Sequence, residues 1–326
     1  MTDNSLTCWV ISDGRRGIEN QALGLAEAAA RLKALEIHCH IIETGKTLAA
    51  ASPKLQFALK SKPTDYGLPK RFPDLAIGCG RQAIAPLMAL KKASPNIFTA
   101  YVQAPRLDPS HFDIVFAPEH DSLSGPNVET MIGSPNRVTN TLIIGQTLHF
   151  AKKLENLPMP RVAMLIGGPS KTHKLGKTEH KAHLDAAHKA LAQGYSLMIT
   201  ASRRTPMAMT KDYQRLASDF DNVWLYDGEG ENPYYAFLGG ADSILVTEDS
   251  TNMLTEACAT GKPVFRLPMA GQAGKFEALY KALSKRCYLD IFSEKFQSKS
   301  YEPLEETDRI ASQFWARYDN RTVTLN

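Results

Sequence analysis

The sequence predicts an α/β protein with two doubly wound parallel sheets, and three observations support this prediction. Short apolar runs rich in β-branched residues alternate with stretches whose apolar residues recur at helical spacing. This alternation begins again after a break near residue 158. The 326 residues are too many for one ordinary core and suit two, at roughly 100–200 residues per domain. Strands that alternate with helices pair in parallel through crossover connections.

The first half of the chain has five predicted strands and two predicted helices. Leu23, Ala26 and Ala30 illustrate the helical spacing of apolar residues in the first helix. The predicted strands are residues 7–11, 37–42, 75–78, 97–102 and 114–117, and the predicted helices are residues 20–35 and 82–92.

A proline-rich break follows this first series. Pro158 and Pro160 flank a single residue, and proline can neither donate to a strand ladder nor continue a helix. The sequence therefore predicts an interdomain linker at residues 154–160, with an N-terminal domain at residues 1–157 and a C-terminal domain at residues 158–303.

The second half repeats the same order of elements. The predicted strands are residues 161–166, 195–200, 223–226, 243–246 and 264–267, and the predicted helices are residues 179–193, 206–219, 233–238 and 252–260. A last helix, within residues 304–320, belongs to neither series, and we expect it to cross back and complete the first domain. Doubly wound sheets bind ligands at the carboxyl ends of their strands, so the loops that face a cleft between the domains should carry the chemistry.

The composition of the chain limits the classes of function that it could have. The fractions of hydrophobic residues (43%) and charged residues (22%) are those of a folded globular protein. The net charge of +4 is spread among acids, which gives no indication of nucleic-acid binding. The start of the chain has no signal-peptide pattern and no apolar stretch reaches membrane-spanning length, so a cytoplasmic location is expected. Five scattered cysteines predict neither a disulfide framework nor a zinc site.

Two loops of the second half suit a diphosphate ligand, and one helix residue suits the ribose of a nucleotide. Ser250 and Thr251 precede a helix whose free N–H groups attract anions. Arg203 and Arg204 follow an earlier strand, and a guanidinium can pair with two phosphate oxygen atoms. Since neighbouring arginines rarely face one ligand together, we expect one of them to contact the diphosphate and the other to support the first. Glu256, further into the helix, could accept hydrogen bonds from a ribose diol.

The loop after the first strand suggests a second binding region. Gly14 and Gly17 let the backbone approach a ligand closely, although the third glycine of a dinucleotide-binding loop is missing. Asp13 could be the general base for an acceptor hydroxyl, or it could hydrogen-bond within its own turn. Arg81 and Arg106 could line an anionic cleft or lie on the solvated surface.

Two segments carry a family resemblance. Glu248 and Glu256, followed by Gly261-Lys262-Pro263, resemble the donor-binding motif of GT-B glycosyltransferases and the paired glutamates of their retaining members. Residues 9–26, 167–170, 201–206 and 247–263 together resemble the ELM1-like family, called mitochondrial fission ELM1 in plants and treated as glycosyltransferases in bacteria. Glu248 could instead be an acid favoured by the helix dipole.

The resemblance implies a GT-B-like fold of two Rossmann-type domains and the transfer of a sugar, with a UDP-sugar as the expected donor, to a hydroxyl acceptor. The implied catalytic residues are Asp13 and Glu248. The donor-binding residues are Gly168, Ser170, Arg203, Arg204, Thr205, Asp249, Ser250, Thr251, Asn252 and Glu256. The acceptor and cleft residues are Gly14, Gly17, Asn20, Gln21, Gly80, Arg81, Gln103 and Arg106.

No metal or other cofactor is expected, because arginines and helix N-termini can neutralise the leaving diphosphate. The expected partners are the nucleotide sugar and an acceptor that could be lipid-linked, with peripheral contact at the inner face of the membrane. His173, His180, His183 and His188 lack a completed ligand set, which favours packing or solvated roles. Two alternatives stay open: a sugar-nucleotide 2-epimerase of the same fold, and a non-catalytic scaffold of the ELM1 type.

Overall fold

A computed structural model describes residues 5–296 and 300–324 of the chain. The described residues form an α/β structure with two parallel six-stranded sheets. The chain divides into two compact units: unit 1 consists of the residues up to Arg137 and those from Glu305 onward, and unit 2 is Val138–Leu304. The predicted boundary after residue 157 lies further along the chain than this division.

The strands and helices of the described residues are as follows. The strands are β1 (Leu6–Ser12), β2 (Leu35–Ile41), β3 (Leu75–Cys79), β4 (Phe98–Val102), β5 (Ile114–Pro118), β6 (Val128–Met131), β7 (Arg161–Ile166), β8 (His173–Lys174), β9 (Ser196–Ala201), β10 (Val223–Tyr226), β11 (Ser243–Thr247), β12 (Val264–Leu267), β13 (Ala270–Gly271) and β14 (Leu289–Ile291). The helices are α1 (Arg16–Leu32), α2 (Lys46–Ala50), α3 (Pro53–Leu59), α4 (Ile84–Ala93), α5 (Asn140–His149), α6 (Ala151–Glu155), α7 (Lys177–Ala192), α8 (Met207–Asp219), α9 (Tyr234–Gly240), α10 (Thr251–Cys258), α11 (Phe276–Arg286) and α12 (Glu306–Thr324). Short 3₁₀ turns lie at Pro63–Tyr66, Arg81–Ala83, Pro109–His111 and Glu119–Asp121.

The sheet of unit 1 has the order β2-β1-β3-β4-β5-β6, with all neighbours parallel. Its inner strands β3, β4 and β5 are buried along their whole length, as expected for a sheet covered by helices on both faces. The chain reaches β2 from β1 and then returns to the other side of β1 for β3. This reversal leaves the carboxyl ends of β1, β2 and β3 adjacent, where a ligand can bind.

Helix α12 completes the core of unit 1. Phe314 is fully buried and meets Phe98 of β4 edge-on, with 5.3 Å between the ring centroids. The Trp315 indole N–H donates to the carbonyl oxygen of Ala29 in α1 at 2.9 Å. The last helix therefore packs on the first sheet of the chain although many residues separate them in sequence.

The sheet of unit 2 has the order β10-β9-β7-β11-β12-β14 and is also parallel. The second strand series of the sequence corresponds to five of these strands. The sixth, β14, has only three residues, which is too short for a pattern of apolar residues to identify.

Residues 154–160, the predicted linker, lie within unit 2. Leu154 and Leu157 are buried, and the Arg161 guanidinium donates to the carbonyl oxygens of Leu154 at 2.9 Å and Leu157 at 2.7 Å. The prolines end α6 and set the entry to β7, so they mark the start of the sheet of unit 2 and not the start of the unit itself.

Replacing Phe314 with alanine should test the contribution of α12 to unit 1. The cavity left among buried residues should lower the free energy of unfolding by about 3–5 kcal/mol. Chemical denaturation of the whole chain measures this. Leu32→Ala on α1 is the control, because Leu32 is 54% exposed and its truncation should change stability by about 0.5 kcal/mol or less. Equal effects of the two substitutions would contradict the packing described for α12.

Candidate functional site

Three loops of unit 2 meet at one edge of its sheet. Strand β7 pairs in parallel with β9 on one side and β11 on the other, so the carboxyl ends of the three strands lie side by side. The loops that follow them contain Gly167–Ser170, Ser202–Thr205 and Glu248–Ser250 respectively. Seven of the ten predicted donor-binding residues lie in these loops, and the other three, Thr251, Asn252 and Glu256, lie in α10.

Two glycines make this junction possible. A Cβ atom on Gly167 would lie 2.2 Å from Asp249 Oδ1, and one on Gly168 would lie 2.3 Å from the carbonyl oxygen of Arg204. Any side chain at either position would displace backbone or a buried carboxylate. The backbone of the loop after β7 therefore packs directly against the loops after β9 and β11.

Asp249 joins the loops through its carboxylate, which is completely buried. Its Oδ2 atom accepts hydrogen bonds from Arg204 Nη2 at 2.6 Å and from the Gly168 backbone N–H at 3.2 Å. Its Oδ1 atom has no hydrogen-bond partner among the described residues. Asp249 thus acts as an internal anchor and faces protein, which makes direct contact with a ligand difficult.

The two neighbouring arginines have different surroundings. Arg204 Nη1 donates to the carbonyl oxygens of Gly168 at 3.0 Å and Pro169 at 3.2 Å, in addition to its ion pair with Asp249. Arg203 is exposed, and within the described parts of the chain its guanidinium has neither an ion pair nor a hydrogen bond. Arg204 therefore has the supporting position, and ligand contact by Arg203 stays a prediction.

Hydroxyl groups hold the same loops together. Thr247 Oγ1 accepts from the Gly167 N–H at 2.7 Å, and the Thr205 hydroxyl donates to the carbonyl oxygen of Gly167. Ser250 Oγ caps α10 by accepting from the Met253 N–H at 3.3 Å. Ser170 Oγ accepts from the backbone N–H of His173 at 3.1 Å, within its own loop.

The first turn of α10 directly follows Ser250 in the chain. Thr251 and Asn252 are partly exposed there, at the positive end of the helix dipole. The residues of this turn carry no acidic side chain, so an approaching anion meets no repulsion from the turn itself.

Glu256 lies further along α10 and is only 6% exposed. The Tyr234 hydroxyl, at the start of α9, donates a hydrogen bond to Glu256 Oε2. Burial raises the pKa of Glu256 to about 7, although the hydrogen bond from Tyr234 acts in the opposite direction. Glu256 is therefore a carboxyl group whose charge changes near neutral pH.

Glu248 has a different environment. Its Oε2 atom pairs with Arg266 Nη1 at 3.0 Å, and its Oε1 atom accepts from the Met269 N–H at 2.8 Å. Both groups of the ion pair are largely buried, and the Arg266 guanidinium stacks on the Tyr280 ring at 4.3 Å. Both carboxylate oxygens have structural partners, so the catalytic role predicted for Glu248 would require the ion pair to open.

The histidines of unit 2 pack or lie at the surface. His180 Nε2 lies 2.8 Å from Asp212 Oδ2, His183 Nε2 donates to the carbonyl oxygen of Pro268 at 2.9 Å, and His173 Nε2 lies 3.0 Å from the Tyr280 hydroxyl. His188 is exposed. Among residues 5–296 and 300–324, histidine, cysteine and acidic side chains do not gather in threes to hold a metal ion.

A polar cavity lies in unit 1, where β1, β2 and β3 end. Its volume is about 380 Å³. The residues that line it are Asp13, Arg15, Ile42, Thr44, Ala49, Arg81 and Gln82. Of the cleft residues expected from the sequence, the cavity brings together Asp13 and Arg81.

Asp13 is held on both sides of its carboxylate. Arg15 donates to it from Nε at 2.9 Å and from Nη2 at 2.7 Å, and the Arg15 backbone N–H donates to Oδ1 at 3.2 Å. The local turn considered as the alternative role is therefore present, and the same carboxylate also lines the cavity. The two interpretations of Asp13 are compatible.

Arg81 supplies positive charge to the cavity. Its Nη1 donates to the carbonyl oxygen of Ala51 at 2.7 Å and its Nη2 to that of Ala49. These partners are neutral, so the charge of Arg81 is not balanced by them. The cavity side chains contribute two guanidinium groups and one carboxylate, a net charge of +1.

The sequence did not single out three of the lining residues, Arg15, Thr44 and Gln82. Thr44 Oγ1 and Gln82 Oε1 are buried without a hydrogen-bond partner among the described residues. Polar residues directly after β2 and at the turn after β3 were the available signal, but only the adjacency of the strands shows that they share one cavity.

The remaining cleft residues lie outside this lining. Gln103 Nε2 donates to Gln21 Oε1 at 3.3 Å, and Gln21 Nε2 donates to the carbonyl oxygen of Gly17 at 3.1 Å. The other members of the predicted set are Gly14 in the loop after β1, Asn20 in the first turns of α1, Gly80 in the turn after β3 and the exposed Arg106. Gln21 and Gln103 thus form an internal network beside the strand ends.

Comparison with protein families identifies one match over nearly the whole chain. The profile of the family described as mitochondrial fission ELM1 matches residues 16–318. The mitochondrial fission protein ELM1 of Arabidopsis thaliana is 27% identical over 267 residues, which cover 74% of this chain and 62% of the plant protein. This chain therefore spans less than two thirds of that relative.

Solved structures with similar folds include UDP-sugar enzymes. The UDP-GlcNAc 2-epimerase of Methanocaldococcus jannaschii in complex with UDP-GlcNAc and UDP is 14% identical, with a TM-score of 0.54 over 95% of this chain and 100% of that chain. MurG of Acinetobacter baumannii is 13% identical, with a TM-score of 0.52 over 95% and 99% of the two chains. These similarities establish the GT-B fold that the sequence predicted.

Within residues 5–296 and 300–324, no helix has both the length and the apolar content that crossing a bilayer requires.

The environment of Glu256 predicts a pH-dependent effect of Glu256→Gln. Because its pKa is higher in the folded chain than in the unfolded chain, the carboxyl group contributes stability at low pH that is lost as the pH rises through about 7. The neutral amide does not lose this contribution. The loss runs between the unfolded-state pKa of 4.5 and about 7, so the variant should match the parent near pH 4 and exceed its free energy of unfolding by roughly 3 kcal/mol at pH 8.

Denaturant unfolding at several pH values measures this difference. Glu277→Gln on α11 is the control, because Glu277 is exposed and its replacement should give no pH-dependent difference. A constant difference between Glu256→Gln and the parent from pH 5 to pH 8 would show that burial does not control this carboxyl group.

The ion pair of Glu248 predicts a structural effect of Glu248→Gln. The substitution leaves Arg266 largely buried without a counter-charge and should lower the free energy of unfolding by about 1–3 kcal/mol. A double-mutant cycle with Arg266→Met should show a coupling energy, because the two residues share one interaction. Unchanged stability combined with lost turnover would instead favour the catalytic role.

Proposed function

The chain belongs to the mitochondrial fission ELM1 family, and from this premise and the two sites we propose that it transfers a sugar from a nucleotide-diphosphate sugar to a hydroxyl acceptor. UDP is the proposed nucleotide, since the fold neighbour from M. jannaschii was solved with UDP-GlcNAc and UDP. The observation that carries the proposal is the exposed Arg203 beside the rigid junction of Gly168, Arg204 and Asp249.

The diphosphate is proposed to bind at this junction. Arg203, beside this junction, supplies a guanidinium free to form two parallel hydrogen bonds. The first turn of α10 adds a positive dipole end. A cation and aligned N–H groups stabilise the charge that develops on the departing nucleotide, so the proposed reaction needs no metal ion.

Glu256 is proposed to bind the ribose. One of its carboxyl oxygens accepts from Tyr234, which leaves the other available to accept from a ribose hydroxyl. The ionised form is the stronger acceptor, and it becomes the major form above about pH 7 in the ligand-free protein. Ribose binding would in turn favour ionisation, since a hydrogen bond to a carboxylate lowers its pKa.

The cavity of unit 1 is proposed to bind the acceptor. Asp13 lies in its wall and could take a proton from an acceptor hydroxyl, with Arg15 holding the carboxylate in position. Thr44 and Gln82 offer buried polar atoms that lack partners, which suits an acceptor with several hydroxyl groups. Arg81 would attract an acceptor that also carries negative charge.

Arg203→Ala should weaken UDP binding about tenfold to a hundredfold, because it removes a charge-assisted pair of hydrogen bonds. Isothermal titration calorimetry with UDP, GDP and ADP measures both this loss and the preferred nucleotide. Arg215→Ala on α8 is the matched control, because Arg215 is also an exposed arginine of unit 2. Arg204→Ala should mainly lower stability, since it removes the partner of the buried Asp249.

Two results would contradict the proposal. One is the absence of binding by all three nucleotides and their sugar derivatives. The other is equal affinity of the parent and Arg203→Ala. Incubation with UDP-N-acetylglucosamine alone separates the remaining functions: an epimerised sugar nucleotide would identify an epimerase, and binding without turnover in the presence of acceptors would favour a scaffold.

A further inference from the structure

One segment of unit 1, residues 53–72, carries an unusual concentration of positive charge; we call it the basic segment. Its five cations and single acid give a net charge of 5 − 1 = +4, which equals the net charge of the whole chain. The rest of the chain is therefore balanced. The charged residues are Lys54, Lys60, Lys62, Lys70 and Arg71, with Asp65 as the acid.

The basic segment also exposes large apolar side chains. Leu55 and Leu59 of α3 are 49% and 67% exposed, and their spacing of four residues places them on one helix face. Phe72, at the end of the segment, is 41% exposed. The opposite side of α3 is already packed, because Gln56 is fully buried and Phe57 lies against the core. The two leucines thus form a face that unit 1 leaves uncovered.

Several cations of the segment are free to bind a partner. Lys54, Lys70 and Arg71 are exposed, and their side chains have no hydrogen bond or ion pair to any residue that the structure describes. The Lys60 ammonium donates to the carbonyl oxygen of Asp65 at 2.9 Å, so its charge is not neutralised either. The only acid of the segment, Asp65, accepts from the Lys62 backbone N–H.

The backbone of the segment is held firmly beside the cavity of unit 1. Ser52 Oγ caps α3 by accepting from the Leu55 N–H at 3.3 Å, and the Tyr66 hydroxyl donates to the carbonyl oxygen of Lys60 at 2.7 Å. Arg81 and Gln82 of the cavity wall donate to backbone carbonyls just before α3, each at 2.7 Å. The start of α3 is therefore held next to the proposed acceptor site.

We propose that the basic segment binds the surface of an anionic phospholipid bilayer. The leucines would enter the boundary between headgroups and acyl chains, while the cations remain among the anionic headgroups, and the two contributions add. A nucleic acid would use the cations but leave Leu55 and Leu59 exposed to water, whereas a bilayer surface uses both. The inference is independent of nucleotide binding, so either can fail without the other.

Vesicle flotation of the full chain tests this surface. Vesicles of phosphatidylcholine mixed with phosphatidylglycerol should bind the chain, vesicles of phosphatidylcholine alone should bind it far less, and added salt should weaken binding. Lys54→Gln/Lys70→Gln should lower the partition coefficient about thirtyfold, from roughly 1 kcal/mol per cation near the membrane surface. Leu55→Ser/Leu59→Ser should lower it as well, with the salt dependence retained.

Matched controls come from unit 2. Lys177→Gln/Lys181→Gln on α7 removes two exposed lysines, and Met207→Ser on α8 removes a side chain that is 78% exposed. Neither should change partitioning. Thermal unfolding and UDP calorimetry of every variant separate loss of membrane binding from loss of folding.

Three outcomes would overturn the proposal. Equal binding to neutral and anionic vesicles is the first, and equal partitioning of the parent and the lysine variant is the second. The third is absence of vesicle binding while a polyanion such as heparin, or an acidic protein, is bound through the same lysines, which would assign the surface to a different class of partner.

Discussion

The geometry of the loops after β7, β9 and β11 depends on one buried carboxylate. Asp249 is completely enclosed, and its negative charge is balanced by Arg204 and by the backbone N–H of Gly168. A buried ion pair adds little net stability when compared with apolar residues, but removing one partner is costly. Its value here is geometric, because the two contacts tie the loops after β7, β9 and β11 to each other. The position of Arg203 follows from this connection, since its neighbour Arg204 is held in place.

Two glutamates that look equivalent in sequence differ in physical state. Glu248 is paired with Arg266 and has both oxygens occupied, whereas Glu256 is surrounded by protein and accepts a hydrogen bond from the Tyr234 hydroxyl. Their spacing matches a family motif, yet spacing carries no information about which carboxylate is paired. The contacts of Glu248 are structural, whereas burial raises the pKa of Glu256 so that its charge changes near neutral pH.

Much of the fold follows from local pattern, because the central strands are continuous apolar runs and the long helices have clear spacing. The strands at residues 161–166, 223–226 and 264–267 were predicted with the bounds that the structure shows. Among the elements that were missed are the edge strands β6 and β14, which are short and bury little, and the helices α3, α5 and α11. Loop residues were placed at the correct strand ends. Contacts between distant segments determine the different surroundings of Arg203 and Arg204. Such contacts also bring Arg15, Thr44 and Gln82 into one cavity, which the sequence does not show.

The return of α12 to the first sheet has a consequence for the order in which the protein acquires structure during synthesis. Unit 1 lacks Ile310, Phe314 and Trp315 of its core until translation has passed residue 315. Unit 2, by contrast, is continuous in sequence and is already complete at Leu304. Unit 1 thus begins before unit 2 in the chain but closes its interior after it, a reversal of the usual N-terminal-first order.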